Sequence, residues 1–394
     1  MTGDATTGGV TASRGFRASG VAAGLKAGGA LDVALVVNDG PELSAAAVLT
    51  TNRVQAAPVR WTREVVADGS LRAVVLNSGG ANACTGPAGA ADTMMTAEGA
   101  GRALACDPAE VAVCSTGLIG VRLPIGPLLK GVADAAGQLS ASGGPDAARA
   151  IMTTDTKPKT SAVSRGDVTV SGMAKGAGML APGLATMLAV ITTDASVAPA
   201  TLDAALRTAT SLTFDRLDSD GCMSTNDSVV AMASGASGMM VGRDLDEAVF
   251  VELLVEVCRD LALALLADAE GGSKQIEVFV TGAASETDAV EVARTVARSS
   301  LFKCAVHGED PNWGRVLSAV GTTGATFDAD AISVAMNGVP LAAAGAAMGE
   351  EPMVDMTGEW VKVAIDLGAG DAAGWIWTSD LTAAYVHENS AYSS

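Results

Sequence analysis

Residues 172–195 read GMAKGAGMLAPGLATMLAVITTDA, and one junction inside them governs the reading of the whole chain. Pro182-Gly183 is a turn signal, and the apolar run Thr186–Ile191 that follows almost at once reads as a buried strand. Opening the Ala185–Thr186 bond would leave a strand headed by a threonine with a free α-amine. Such an amine has a pKa of roughly 7.7–8.0 and can take the proton of its own hydroxyl, so this nucleophile needs no histidine.

Histidine is indeed scarce. The 394 residues hold only His307 and His387, which excludes His-rich metal sites and leaves a His-based triad one of two candidates. Six cysteines, Cys84, Cys106, Cys114, Cys222, Cys258 and Cys304, lie far apart without a CxxC pair and are expected to be buried thiols. Lys and Arg total 25 against 44 Asp and Glu, and a net charge of −19 repels phosphate backbones and anionic lipid, so neither nucleic acid nor a membrane is an expected partner. Met1 to Gly20 lacks an apolar signal core and no run approaches the roughly 18 apolar residues of a membrane span, so the expected location is the cytoplasm. With 46 glycines, 3% aromatics and 49% hydrophobic residues, the chain suits a large core of small side chains, as two domains or one large α/β unit.

Apolar stretches bounded by Gly or Asn predict strands at Leu31–Val37, Leu71–Leu76, Glu110–Cys114, Thr186–Ile191, Gln275–Val280, Ile332–Met336, Val361–Leu367 and Trp375–Trp377. Asn337-Gly338 predicts a tight hairpin, because both residues tolerate positive φ. Helices are predicted from Asp244 to the Gly271-Gly272 stop, with Leu245, Val249, Leu253, Val257, Leu261 and Leu265 on one face, from Ser285 with an S-x-x-D start, and over Thr201–Phe214. Helix and strand alternate throughout, so the class is α/β.

The usual catalytic signatures are absent. There is no GxxxxGK[ST], HExxH or GxSxG, and Gly176-Ala177-Gly178 lacks the third glycine of a dinucleotide loop. Polar chemistry gathers instead in 114-CSTGLIG-120, 151-IMTTDTKPK-159, 172–195, 268-DAEGGSK-274 and 387-HENSAYSS-394, which put Thr, Lys or Glu beside Gly. Composition alone would make these loops.

GMAKGAGMLAPGLATML resembles the processing segment of the ornithine acetyltransferase family, the bifunctional glutamate N-acetyltransferases of arginine biosynthesis, where KG-x-G-M-x-x-P-x-x-ATML is cut before its Thr. The likeness continues in the family's order through NSGGANACTG at Asn77–Gly86, STG-x-IG at Ser115–Gly120, IMTTD at Ile151–Asp155, STND at Ser224–Asp227, DAEG at Asp268–Gly271, DPNWGR at Asp310–Arg315 and the terminal ENSAYSS. This resemblance implies a layered αββα-type sandwich, shared with N-terminal-nucleophile aminopeptidases. It also implies an α chain of residues 1–185 and a β chain of 186–394, assembled as a heterotetramer.

The implied activity moves acetyl from N2-acetylornithine to glutamate without metal or organic cofactor, and leaves open whether acetyl-CoA is a second donor. Thr186 matches the nucleophile of self-cleavage and transfer, and Thr116 and Gly117 match the oxyanion pair. Thr153, Lys175, Glu270, Asn389 and Ser394 match substrate-contacting positions, with the adjacent Thr154 an alternative to Thr153. Lys175 suits an α-carboxylate and Glu270 a side-chain ammonium. No catalytic role follows for NSGGANACTG or DPNWGR, and Met173, Met179 and Met187 are expected in the core. Two other readings stand beside this one: an N-terminal-nucleophile aminopeptidase or amidase with water as acceptor, and an uncleaved, catalytically silent binding protein.

Denaturing mass spectrometry tests the junction. The purified protein should run as fragments 1–185 and 186–394, Thr186→Ala should stay whole, and Thr186→Ser, which keeps a hydroxyl, should still be cut. A fully active protein that remains one chain would sink the expectation.

Overall fold

The structure is a computed structural model and describes residues 8–178, 187–349 and 353–391. The nearly continuous apolar runs become strands buried on both faces: Val33–Asn38, Ala73–Ser78, Val111–Thr116, Leu188–Thr193 and Ser228–Ala233. The first three join Phe16–Val21 in a four-stranded sheet, in the spatial order Phe16–Val21, Val33–Asn38, Ala73–Ser78, Val111–Thr116, whose last pair is parallel. The other two pair in parallel within a five-stranded sheet ordered Ser44–Leu49, Ser228–Ala233, Leu188–Thr193, Val168–Lys175, Lys159–Arg165. Parallel neighbours need a crossover, which the helices Gly86–Leu104 and Pro199–Leu212 supply.

The two sheets face one another. Phe16, Val36, Leu76 and Cys114 of the first meet Met173, Val190 and Met232 of the second in one buried cluster. Because side chains alternate along a strand, Val33, Leu35 and Val37 point the other way, onto Ala97, Leu128 and Val132 of the helices Gly86–Leu104 and Ile125–Gly137. On the far side, Ala189, Ile191, Val229 and Ala231 pack against Leu202, Leu206, Phe250, Leu254 and Leu261 of the helices Pro199–Leu212 and Glu247–Leu266. Helix, sheet, sheet, helix is the expected αββα sandwich.

A third unit extends it. A six-stranded sheet ordered Ala346–Ala347, Val339–Ala343, Ser333–Met336, Trp360–Asp366, Gln275–Ala283, Ala372–Ser379 closes its own core with the helices Glu286–Arg298, Ser300–His307 and Trp313–Val320. Here Val361, Val363 and Ile365 are buried while Lys362, Ala364 and Asp366 are exposed, the alternation of a sheet covered on one face. Trp377 links the two parts by packing into the sandwich core.

All eight predicted strands are present, and the hairpin forms at Asn337 and Gly338 with φ of +46° and +80°. Ser285 caps its helix by accepting the Asp288 N–H at 3.1 Å. Two expectations need correction. The long helix starts at Glu247 under Asp246, whose carboxylate takes the Ala248 N–H at 2.8 Å; Asp244 instead accepts the Met240 N–H at 3.0 Å and belongs to the preceding turn. Only Cys114 and Cys258 are buried, since Cys84, Cys222 and Cys304 lie on solvent-facing turns or helix faces and Cys106 is half-buried. Met173 and Met187 are in the core, whereas Met179 lies outside the described residues. Among the described residues no helix is long and apolar enough to cross a membrane.

Phe250, fully buried between helix and sheet, is a sensitive probe of the sandwich. Phe250→Ala should cost about 3–5 kcal/mol, read as a lowered urea midpoint with the same folded circular dichroism. A loss under about 1 kcal/mol would mean that the helix closes over the gap.

Candidate active site

One cavity collects the residues singled out from the sequence: Thr116, Gly117, Thr153, Thr154, Lys175, Glu270 and Asn389 all line it. Ser224, Thr225 and Asn226 of the STND run complete the wall. Ala185, Thr186 and Ser394 lie outside the described residues.

Thr116 ends the strand Val111–Thr116, and its carbonyl accepts the N–H groups of Gly79 at 3.1 Å and Gly80 at 3.0 Å. Gly117 follows at φ +131°, and a Cβ there would come within 2.6 Å of the Gly80 nitrogen, so the two loops meet only because the position is glycine. Asn226 Nδ2 ties both together by donating to the carbonyls of Ala81 at 2.6 Å and Ser115 at 2.8 Å. Asn77 Nδ2 donates to the Gly80 carbonyl at 3.1 Å, and Asn77 Oδ1 accepts the Ser115 hydroxyl at 2.6 Å. NSGGANACTG is therefore a brace for the strand end.

Lys175 is the last residue of the strand Val168–Lys175, not a solvated loop charge, and it is wholly buried. Its Nζ donates to Thr116 Oγ1 at 3.1 Å, which leaves the threonine's own hydrogen available to an acceptor in the cavity. Burial lowers the Lys175 pKa, while the charges of Asp155, Asp227 and Glu270 pull it back up and that of Lys159 adds to the lowering.

The remaining segments are held by an ion cluster that motif reading missed. Lys159 Nζ donates to Asp155 Oδ1 and to Asp268 Oδ2, each at 2.5 Å, and all three side chains are buried. Asp155 also accepts the Gly176 N–H at 2.7 Å and the Thr153 N–H at 2.9 Å. Asp268 accepts the Thr156 N–H at 2.9 Å and the Thr156 hydroxyl. Burial acts to raise the Asp155 carboxyl, but Lys175, Lys159 and the Gly176 N–H outweigh it together and hold it below the usual carboxylate range.

Glu270 rests on this frame: its N–H donates to the Ala177 carbonyl at 2.8 Å and its Oε1 accepts the Thr154 hydroxyl at 2.8 Å. A Cβ on Gly178 would come within 2.5 Å of Glu270 Oε2, so glycine makes room for the carboxylate. Thr154 is thus committed to Glu270, and the Thr153 hydroxyl makes no hydrogen bond among the described residues. Asp155 and Asp268 stood inside the quoted IMTTDTKPK and DAEGGSK stretches, and that was the only signal for them.

Two other groupings lie apart from the cavity. In DPNWGR, Asn312 caps the helix Trp313–Val320 by accepting the Arg315 N–H at 3.2 Å, and Asp310 Oδ2 accepts from Asn312 Nδ2 at 3.0 Å, a turn network at the start of that helix. Ser273, His307 and Asp380 also meet, but Ser273 Oγ and Asp380 Oδ2 both face His307 Nδ1, at 3.3 and 3.0 Å. One ring nitrogen serving both partners cannot relay a proton from one to the other.

The sequence pattern of the ArgJ family matches residues 17–394. The chain belongs to the ArgJ family. An arginine biosynthesis bifunctional protein ArgJ of Streptomyces coelicolor is 60% identical over 385 residues, covering 98% of this chain and all 100% of that protein. The protein of the same name from Mycobacterium tuberculosis is 56% identical over 395 residues, covering 98% of this chain and 96% of that one. A crystal structure of ornithine acetyltransferase complexed with ornithine, from Mycobacterium tuberculosis, is 60% identical with a TM-score of 0.44, over 45% of this chain and 95% of its own. The family read from the motifs is the family found.

Lys159→Met tests the ion cluster. It leaves Asp155 and Asp268 buried without their cation, and should cost about 3–5 kcal/mol in urea unfolding. A midpoint equal to the wild type would show that the carboxylates do not depend on Lys159.

Proposed function

We infer that this protein is a self-processing acetyltransferase of arginine biosynthesis that moves acetyl from N2-acetylornithine to glutamate through an ester on Thr186. What carries the reading is the cavity in which the buried Lys175 ammonium meets Thr116 Oγ1 at 3.1 Å, with Gly117 and Glu270 on the same wall. In processing, the Thr186 hydroxyl attacks the Ala185 carbonyl, the acyl group shifts from nitrogen to oxygen, and water opens the ester to give chains 1–185 and 186–394. In transfer, the Thr186 α-amine takes the hydroxyl proton while the oxygen attacks the acetyl carbonyl. The proton then leaves with ornithine, and the amine of glutamate takes the acetyl group from the ester.

Thr116 and Gly117 serve the tetrahedral oxyanion at each stage, one through its hydroxyl and the other through its N–H. The hydrogen bond from Lys175 polarises the Thr116 hydroxyl and makes it a better donor. A substrate amino acid brings an α-carboxylate, for which Lys175 is the cation, and ornithine brings an ammonium, for which Glu270 is the anion. Thr153, Asn389 and Ser394 supply neutral hydrogen bonds. This chemistry calls for no metal or organic cofactor. Acetyl-CoA as a second donor would account for the word bifunctional in the relatives' names. The cleaved chains assemble as a heterotetramer in the cytoplasm.

Initial rates with varied acetylornithine and glutamate should give parallel lines, and an acetylated 186–394 fragment should accumulate when glutamate is withheld. Intersecting lines without that fragment would defeat the covalent route, and steady acetate release without glutamate would favour the amidase. Thr116→Ala should lower kcat by about 10²–10³-fold.

A further inference from the structure

Glu270 and Asn389 share a wall of the cavity although they stand far apart in the chain. A junction at Gly271 brings them together. The Thr382 hydroxyl donates to the Gly271 carbonyl at 2.5 Å and accepts the Tyr385 N–H at 2.9 Å, so one side chain holds the start of the helix Ala383–Ala391 and ties it to the residue after Glu270. Thr382 is buried. Gly271 has φ of +62°, and a Cβ there would lie 2.1 Å from the Tyr385 nitrogen, so the helix start rests directly on the loop backbone. Buried Asp380 fixes the far end of the same loop by accepting the N–H groups of Ser273 at 2.8 Å and Lys274 at 2.9 Å.

Asn389 stands one helical turn beyond Tyr385, and its Nδ2 donates to the Tyr385 carbonyl at 3.0 Å. Its Oδ1 makes no hydrogen bond among the described residues and is left as an acceptor. The wall thus offers a carboxylate and an amide oxygen side by side. A primary ammonium carries three N–H donors and needs more than one acceptor when it leaves water.

We propose that Thr382 is a positioning residue that sets the selectivity for a cationic side chain: its bond to Gly271 holds Asn389 Oδ1 where that oxygen and Glu270 accept from the same ammonium. The proposal rests on the reading of Glu270 given above. Neither Thr116 nor Lys175 takes part in this junction, so its effect falls on recognition of the side chain rather than on the acetyl carbonyl.

The measurement is the ratio of kcat/KM for N2-acetylornithine to that for N2-acetylnorvaline, which has the same chain length without the side-chain amine. Thr382→Val keeps the shape and removes the hydroxyl. It should lower the ratio by about 10-fold or more through a raised KM for acetylornithine, whereas Thr382→Ser, which keeps both hydrogen bonds, should stay within about threefold of the wild type. General damage to the fold would slow both substrates alike and leave the ratio unchanged. If the valine variant does not fold, Gly271→Ala displaces the helix from the other side of the junction and is judged by the same ratio. A ratio within about threefold of wild type in the valine variant overturns the proposal, as does a ratio that falls through kcat alone, or a serine variant that loses as much as valine. A wild-type ratio near one removes the reading of Glu270 and this role together, whereas a high wild-type ratio beside an unaffected variant removes the role of Thr382 alone.

Discussion

One buried ammonium, that of Lys159, sets the arrangement of the site. It is 2% exposed and sits between two carboxylates at 2.5 Å, a geometry that would be unfavourable if the cluster ended there. Desolvating three charges costs several kcal/mol each, and two anions around one cation leave an excess negative charge in low dielectric. The excess is met from two directions. Backbone N–H groups of Thr153, Thr156 and Gly176 point at the carboxylates, and the charge of Lys175 stabilises Asp155. Those donors come from segments that would otherwise have no reason to approach one another, so the cluster is satisfied only when they adopt this arrangement. The cavity walls at Thr153, Lys175 and Glu270 follow from it.

Close backbone approach is the second constraint, and it explains why the chain is rich in the smallest residues. Gly117 against Gly80, and Gly178 against Glu270, are places where a Cβ would come within 2.6 Å of the Gly80 nitrogen and 2.5 Å of Glu270 Oε2, so the cavity wall would have to shift. Asn226 and Asn77 then lock the approach with hydrogen bonds that only a short amide can span. Composition therefore reports on the site as well as on the core: 46 glycines in this chain are partly the means by which loops from distant positions share one cavity.

The parts of the fold legible in the sequence were those with a period. Val361–Leu367 alternates and Leu188–Ile191 is a continuous apolar run, so both could be read as strands. Ser44–Leu49 is half alanine, Phe16–Val21 carries Ser and Gly, and the edge strand Lys159–Arg165 is largely polar; none has the bulky β-branched run that marks a strand, and pairing with neighbours makes them strands. The start of the long helix was misplaced because Asp244 and Asp246 are both good caps, and only the local hydrogen bonds choose between them. In the site, Thr116, Gly117, Lys175, Glu270 and Asn389 were legible through motifs, and they do line one cavity. The Lys159 cluster was not, because Lys159 and Asp268 stand 109 residues apart and nothing local pairs them.

The same contacts bear on how a chain could survive being opened at 185–186. Val168–Lys175 and Leu188–Thr193 stand on opposite sides of that junction and pair antiparallel, from Val170 with Thr193 to Lys175 with Leu188. Leu188–Thr193 is then held on its other edge by Ser228–Ala233. Lys159 and Asp268 also lie on opposite sides, and their ion pair is buried. A sheet ladder, a shared core and a buried charge pair do not depend on the peptide bond between their halves, so the proposed cut would leave the packing in place. What the cut changes is local: it removes one amide and creates one amine, next to a residue whose N–H is already fixed by Asp227. Self-processing of this kind demands a fold that is rigid around the junction before and after the bond opens. A strand inserted between two paired neighbours in the middle of a five-stranded sheet meets that demand better than a loop or an edge strand could.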